Sequence, residues 1–160
     1  MTTLSFDLVV LGTGSAGAGA ARACRKAGWS VAIVDALPFG GTCALRGCDP
    51  KKVLVGVADV VDWCRRMRGR GVTFTDLRVD WADLMRFKRT FTDPVPERVE
   101  ESFRRAGIET FHGSARFVDR TAVQVGDVTL TGRYVLIATG RACPIRPCMP
   151  PATVPTAARP

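Results

Sequence analysis

Phe6-Asp7-Leu8-Val9-Val10-Leu11-Gly12-Thr13-Gly14-Ser15-Ala16-Gly17 joins a short, nearly all-apolar run to a glycine turn with no spacer between them. Such a run suits a strand buried on both faces of a parallel sheet. In the turn, Gly12 permits the tight reversal, Gly14 lets the backbone approach a pyrophosphate, and Gly17 lets helix and strand pack closely. Ala18 to Ala27 then reads as a small-residue helix that Gly28 caps, its N-terminal N–H groups turned toward phosphate. The next strand, Ser30 to Val34, ends in Asp35. An acid at that place accepts hydrogen bonds from ribose hydroxyls and repels a 2′-phosphate, so the pattern predicts NAD or FAD in preference to NADP. The competing reading is a glycine-rich turn beside an ordinary strand-end charge.

The second decisive stretch is Gly40-Gly41-Thr42-Cys43-Ala44-Leu45-Arg46-Gly47-Cys48-Asp49-Pro50-Lys51-Lys52. A CxxxxC pair opened by two glycines and a threonine closes a disulfide only in a tight loop or a distorted first helical turn. Strained, accessible disulfides of that kind are the labile, catalytic ones. The flanking lysines, and a helix N-terminus if one starts here, stabilise a thiolate. Two unrelated cysteines in an amphipathic helix are the alternative.

At 160 residues, with 46% hydrophobic and 24% charged content, the chain has room for one domain with a real core. No apolar run is long enough to span a membrane, and the apolar opening lacks a basic leader, so a cytoplasmic protein is expected. Six cysteines in such a chain argue for redox or metal chemistry rather than structural disulfides. Cys24, Cys64, Cys143 and Cys148 have no CxxC or histidine-supported zinc spacing, and no metal site is expected. The net charge of +8 invites a nucleic-acid reading. Arg65, Arg66, Arg68, Arg70, Arg86, Lys88, Arg89, Arg104 and Arg105 are spread over helix faces without interleaved aromatics, which favours a solvated surface and no nucleic-acid partner.

Further along, Lys51 to about Arg68 carries Val53, Leu54, Val57, Val60, Val61 and Cys64 at helical spacing. Trp81 to Phe91 is a second amphipathic segment, Asp93-Pro94-Val95-Pro96 breaks it, and Val99 to Ala106 resumes a helix that Gly107 caps. Trp63 and Trp81 are expected as core anchors, and Lys88 as a solvated lysine. From Ile108 the period becomes that of strands. Ile108 to Phe111 is a short strand, and Ala115 to Val118, Ala122 to Val125 and Val128 to Leu130 form a small antiparallel meander. Tyr134 to Ala138 returns to the buried sheet and ends in Thr139-Gly140. His112, the lone histidine, is expected to be structural.

Strand, GxGxxG, acid, CxxxxC and a late Ala138-Thr139-Gly140, in this order, resemble the flavin domain of the pyridine nucleotide-disulfide oxidoreductases, the family of glutathione reductase, dihydrolipoamide dehydrogenase and mercuric reductase. The resemblance runs from about Phe6 to Gly140. Cys48-Asp49-Pro50-Lys51-Lys52 is closest to its glutathione-reductase-like branch, since lipoamide dehydrogenases usually carry Pro-Ser-Lys there. It implies an oxidoreductase in which Cys43 attacks the substrate disulfide and Cys48 lies against the flavin. Gly12, Gly14, Ser15, Ala16 and Gly17 would hold the FAD pyrophosphate, and Asp35 the adenosine ribose. Gly41 and Thr42 would contact the cofactor, and Lys51 would sit near the flavin N5. Ala115 falls where the family backbone meets adenine, and Thr139 and Gly140 where it meets the pyrophosphate again. Asp49 departs from the usual Val or Ile, and its carboxylate is expected to disfavour the neighbouring thiolate.

The implied fold is a doubly wound parallel sheet in the order 3-2-1-4 with an attached meander: an incomplete FAD-binding domain over residues 1–141, then an irregular, proline-rich tail over 142–160. Complete relatives continue with an NAD(P)H domain and a dimer-interface domain. The resemblance therefore implies NAD(P)H as co-substrate, a small-molecule or protein disulfide as substrate, a homodimer in complete relatives, and a truncated or frame-altered ending here. Two rivals stand beside it: a stand-alone NAD-binding domain with incidental cysteines, and a non-catalytic remnant whose unfinished sheet edge invites aggregation.

Overall fold

A computed structural model describes residues 2–140, so the proline-rich tail, with Cys143 and Cys148, lies outside the described residues. Eleven elements follow one another in the described chain: β1 (Thr2–Leu11), α1 (Ser15–Lys26), β2 (Val31–Asp35), α2 (Gly41–Arg46), α3 (Cys48–Met67), α4 (Trp81–Thr92), α5 (Val95–Arg105), β3 (Glu109–His112), β4 (Ala115–Asp119), β5 (Ala122–Val125) and β6 (Val128–Ile137). The strands form one six-stranded sheet in the order β3-β2-β1-β6-β5-β4. Its first four members are parallel, in the expected 3-2-1-4 order, and β6-β5-β4 is an antiparallel meander. This is a mixed, Rossmann-like α/β architecture.

The period-2 rule places the core on both faces of the central strands. Leu8 and Val10 of β1 and Val31 and Ile33 of β2 join Ala21 of α1, Phe103 of α5, Phe39 and Ile108 in one buried cluster. Their neighbours Val9, Leu11, Ala32 and Val34 point the other way and pack with Val123, Val125 and Leu130 of the meander. Helices cover one face and the meander the other, so the near-continuous apolar run of β1 has no wet side.

Two strands are longer than their sequence signal. β1 begins at Thr2 rather than Phe6, its first half partly exposed, and the segments 128–130 and 134–138 are one strand rather than two. The ladder between them runs Thr2↔Val128 to Phe6↔Gly132, skips the pair Asp7 and Arg133, and resumes at Leu8↔Tyr134. Gly132 makes the skip possible, because a Cβ there would lie 2.5 Å from the Tyr134 carbonyl oxygen. The meander is thus a continuation of the sheet rather than an appendage. Asp7, freed from the ladder, accepts hydrogen bonds from the Ser30 N–H and hydroxyl, both at 2.8 Å, and ties β1 to the start of β2. These bonds hold its carboxyl below the usual aspartate range.

The remaining boundaries shift in physically legible ways. α1 begins at Ser15 and stops before Gly28, whose φ of +90° turns the chain. α5 starts at Val95, because Pro96 sits in its first turn, where a missing N–H removes no helical bond. Trp63 and Trp81 are not core anchors: they are 65% and 62% exposed. The inward stripe of α3 runs through Val53, Leu54, Val57, Val61 and Cys64, all half-buried, and Trp63 and Val60 lie off it.

Candidate functional site

The glycine turn after β1 and the cysteine stretch after β2 meet at the C-terminal ends of the parallel strands, where open α/β sheets bind ligands. Gly12 has φ +107°, and its Cα packs so closely on the Ala138–Thr139 backbone that a side chain there would collide with it. Gly41, at φ +70°, leaves room for Gly14: a Cβ on Gly41 would stand 2.5 Å from the Gly14 Cα. Gly17 is buried under the turn, its missing Cβ facing the Gly12 carbonyl and the Val10 side chain. Three backbones thereby converge with almost no intervening side chains. Gly14, the N-cap of α1, offers no side-chain cap, so the first N–H groups of this twelve-residue helix are left for a ligand.

Thr13, between the two glycines and buried, locks the turn. Its N–H and hydroxyl both donate to Oδ2 of Asp35, at 2.8 and 2.6 Å, while its hydroxyl oxygen accepts the Gly40 N–H at 3.2 Å. The other Asp35 oxygen accepts the Leu37 N–H at 3.0 Å. A carboxylate offers about four acceptor sites, so Asp35 keeps room for about one more donor. The Gly113 N–H in turn donates to the Asp35 carbonyl at 2.9 Å, bringing Gly113-Ser114-Ala115 to the same rim.

The cleft so formed has a volume of about 720 Å³, within the range of small-molecule and cofactor sites. It gathers Gly12, Gly14, Ser15, Ala16, Asp35, Gly41, Thr42, Cys43, Ala115, Thr139 and Gly140, eleven of the residues singled out from the sequence. Gly17, Cys48 and Lys51 do not line it. Gly17 is beneath the turn, and Cys48 and Lys51 occupy the first turn of α3, exposed. Sequence reasoning missed Thr13, Leu37, Ser114 and Arg46 in the lining. The signal for Arg46 was available in its place between the two cysteines.

The cysteine stretch is two helices broken at Gly47. Cys43 lies on the short α2 and Cys48 opens α3. A side chain at position 47 would crowd the Thr42 carbonyl at 2.9 Å, so the break needs glycine. Both thiols are free and exposed, and Cys48 lies near enough to Cys43 to act on its titration. The Cys43 thiol is pushed above its ordinary range, first by the adjoining Cys48 thiol, then by desolvation and by the charges of Cys48 and Asp49. The Asp49 carboxylate was expected to act on its neighbour Cys48; its charge is among the causes that raise Cys43.

His112 and Glu100 brace the rim from behind. The imidazole stacks on Phe39, 4.4 Å between centroids, and its Nε2 lies 3.0 Å from the Glu100 carboxylate. The His112 bond is the foremost cause holding the Glu100 carboxyl below the usual glutamate range, helped by the Thr110 hydroxyl and the Arg104 charge.

An uncapped helix N-terminus on a glycine turn, an acid at the end of β2 and a thiol on the opposite wall define a nucleotide-binding α/β domain with a paired-cysteine loop. The chain belongs to the pyridine nucleotide-disulphide oxidoreductase family, which matches residues 6–157. It is 36% identical over 155 residues to a glutathione reductase of Burkholderia cepacia, covering 94% of this chain and 33% of that one. It is 34% identical over 152 residues to a glutathione reductase of Nostoc, 92% of this chain and 32% of the relative. A dihydrolipoyl dehydrogenase of Mycoplasma genitalium is 30% identical over 138 residues, 86% of this chain and 30% of its own length. The chain spans about a third of the length of these curated relatives. FAD is the family's cofactor, and no helix among the described residues is long and apolar enough to cross a membrane.

Proposed function

We propose that this chain is the FAD-binding portion of an NAD(P)H-dependent disulfide oxidoreductase and that Cys43 and Cys48 are its redox pair. One observation carries the proposal: Cys43 lines the same cleft as the glycine turn, with Cys48 beside it across the helix break at Gly47. The residues fit the cofactor. The glycines let the converging backbones close up around the cleft, the N-terminus of α1 faces the place of the pyrophosphate, and Asp35 stands at the ribose end. Thr139, Gly140 and Ala115 close the rim, Gly41 and Thr42 the facing wall, and Lys51 presents its charge from the first turn of α3. When bound, FAD supplies a two-electron carrier between a nicotinamide and the thiol pair.

The chain's own part is thiol–disulfide exchange. The Cys43 thiolate attacks one sulfur of the substrate disulfide, forming a mixed disulfide and releasing the first product as a thiolate that takes up a proton. Cys48, as thiolate, then attacks Cys43, expels the second product thiol and closes the Cys43–Cys48 disulfide. Two electrons and two protons leave the pair in each cycle. Cys43 must lose its proton before it attacks, and no histidine lines the described cleft to take it. Turnover with NAD(P)H by this chain alone is therefore expected to be weak or absent. The disulfide substrate and the homodimeric assembly of complete relatives extend the same proposal.

The test is a visible absorption spectrum of the purified chain reconstituted with FAD, followed through dithionite reduction and thiol alkylation. Bound flavin whose spectrum responds to alkylation of Cys43 or Cys48 supports the reading. Stoichiometric NAD binding with no retained flavin would replace it with a stand-alone NAD domain.

A further inference from the structure

Of the residues lining the cleft only Asp35 and Arg46 are charged, and they carry opposite signs. Asp35 is held by Thr13 and Leu37. Arg46 is held by nothing: among the described residues no carboxylate lies within 4 Å of its guanidinium and no side-chain hydrogen bond reaches it. An arginine in the last turn of a helix has an ordinary explanation in the helix dipole, but α2 is six residues long and offers little of it. The position of Arg46 is also fixed by its neighbours. Thr42 and Arg46 are separated by four residues and Cys43 and Arg46 by three, the spacings that share one face of a helix, and all three line the cleft.

The ligand's side of the balance is anionic. A dinucleotide carries two phosphates, whereas the N-terminus of α1 provides only about half an elementary charge. A guanidinium adds a full charge and a planar fork suited to two phosphate oxygens, and its charge does not titrate in the working range. We propose that Arg46 is the phosphate-binding side chain of this cleft and that it sets the preference of the site for a pyrophosphate-bearing flavin over one without phosphate. The inference rests on the reading of the cleft as a FAD site. It makes Arg46 a specificity residue, with no part in the thiol chemistry.

The experiment is a set of fluorescence titrations of the 160-residue chain with FAD and with riboflavin, at low and moderate salt, for the unsubstituted protein and for Arg46→Lys and Arg46→Met. Loss of one bidentate, charge-assisted contact is expected to weaken FAD binding by about 10- to 100-fold in R46M. R46K keeps the charge without the fork and falls between. The salt dependence of FAD binding flattens in R46M, and the weaker riboflavin affinity is the same in all three proteins. Because the Arg46 side chain makes no hydrogen bond or ion pair among the described residues, the melting temperatures of all three should agree, which separates lost contact from lost fold. FAD binding by R46M within twofold of the unsubstituted chain overturns the assignment of Arg46 and leaves the cleft reading standing. Equal losses of FAD and riboflavin affinity in R46M also overturn it. Failure of the unsubstituted chain to bind FAD overturns both.

Discussion

Thr13→Val tests whether the glycine turn and the cysteine stretch are one mechanical unit. Valine has the shape of threonine, so the substitution removes the hydroxyl and little else. The structure sets the cost. The 2.6 Å bond from the hydroxyl to the Asp35 carboxylate disappears, and the Gly40 N–H, 3.2 Å from the hydroxyl oxygen, loses its acceptor. A hydrogen bond to a charged group contributes about 1.5–3 kcal/mol, and a half-buried donor such as the Gly40 N–H left without its acceptor costs toward the lower end of about 1–3 kcal/mol. Asp35 is only half-buried and keeps the Thr13 N–H, so water recovers part of the first term, and about 3 kcal/mol is the expected net loss. For a chain of this size that lowers the melting temperature by about 9 °C. Thr13→Ser, which retains the hydroxyl, should recover most of it. Thermal unfolding followed by far-ultraviolet circular dichroism gives the stability, and the rate of Cys43 alkylation gives the local effect, since a released Gly40 should loosen the start of α2. A T13V melting point within about 2 °C of the unsubstituted chain, with unchanged alkylation, refutes the coupling.

Mild oxidation should close a Cys43–Cys48 bridge and protect both residues from alkylation while the half-buried Cys24 and Cys64 keep the reactivity they have in the reduced protein, as peptide mass mapping would show. Cys48→Ser should leave Cys43 alkylatable under the same oxidant; protection that survives the substitution excludes the pair. Gly41→Ala forces a Cβ to within 2.5 Å of the Gly14 Cα at a φ of +70°, and should abolish FAD retention or lower stability by more than about 2 kcal/mol in denaturant titration. Glu100 has a depressed folded value, so its contribution is complete above the ordinary glutamate range and disappears as pH falls through that depressed value. The stability gap between the unsubstituted chain and Glu100→Gln should therefore narrow on acidification, and a gap that widens below pH 5 would contradict the assigned bond.

The parts legible in the sequence are those in which local chemistry and global fold agree. The run ending at Leu11, the glycines of the turn and the acid at position 35 lie within one strand-turn-helix-strand unit, where spacing alone restricts the geometry. The order of the four parallel strands was what the family resemblance implied. The segments 128–130 and 134–138 read as two strands because their apolar runs are separate, whereas Gly132 lets one strand serve two halves of a sheet. Trp63 and Trp81 misled because large aromatic residues at helical spacing imply burial, and only the packing of α3 and α4 reveals which side of each helix is covered. Thr13 was invisible for a different reason. A threonine hydroxyl has no preferred partner in the primary sequence, and its role appears only when Asp35 and Gly40 are brought alongside.

The long ladder between β1 and β6 also has a bearing on how the protein is made. Thr2 to Leu11 finds one of its two lateral partners only in residues 128–137, so during synthesis the apolar tip of β1 must wait, half-sheathed, until nearly all of the described chain has emerged from the ribosome. Closing so large a loop is entropically slow. A nascent chain stalled before Val128 should accordingly recruit a chaperone at Leu8–Leu11, and release as soon as translation passes Ile137.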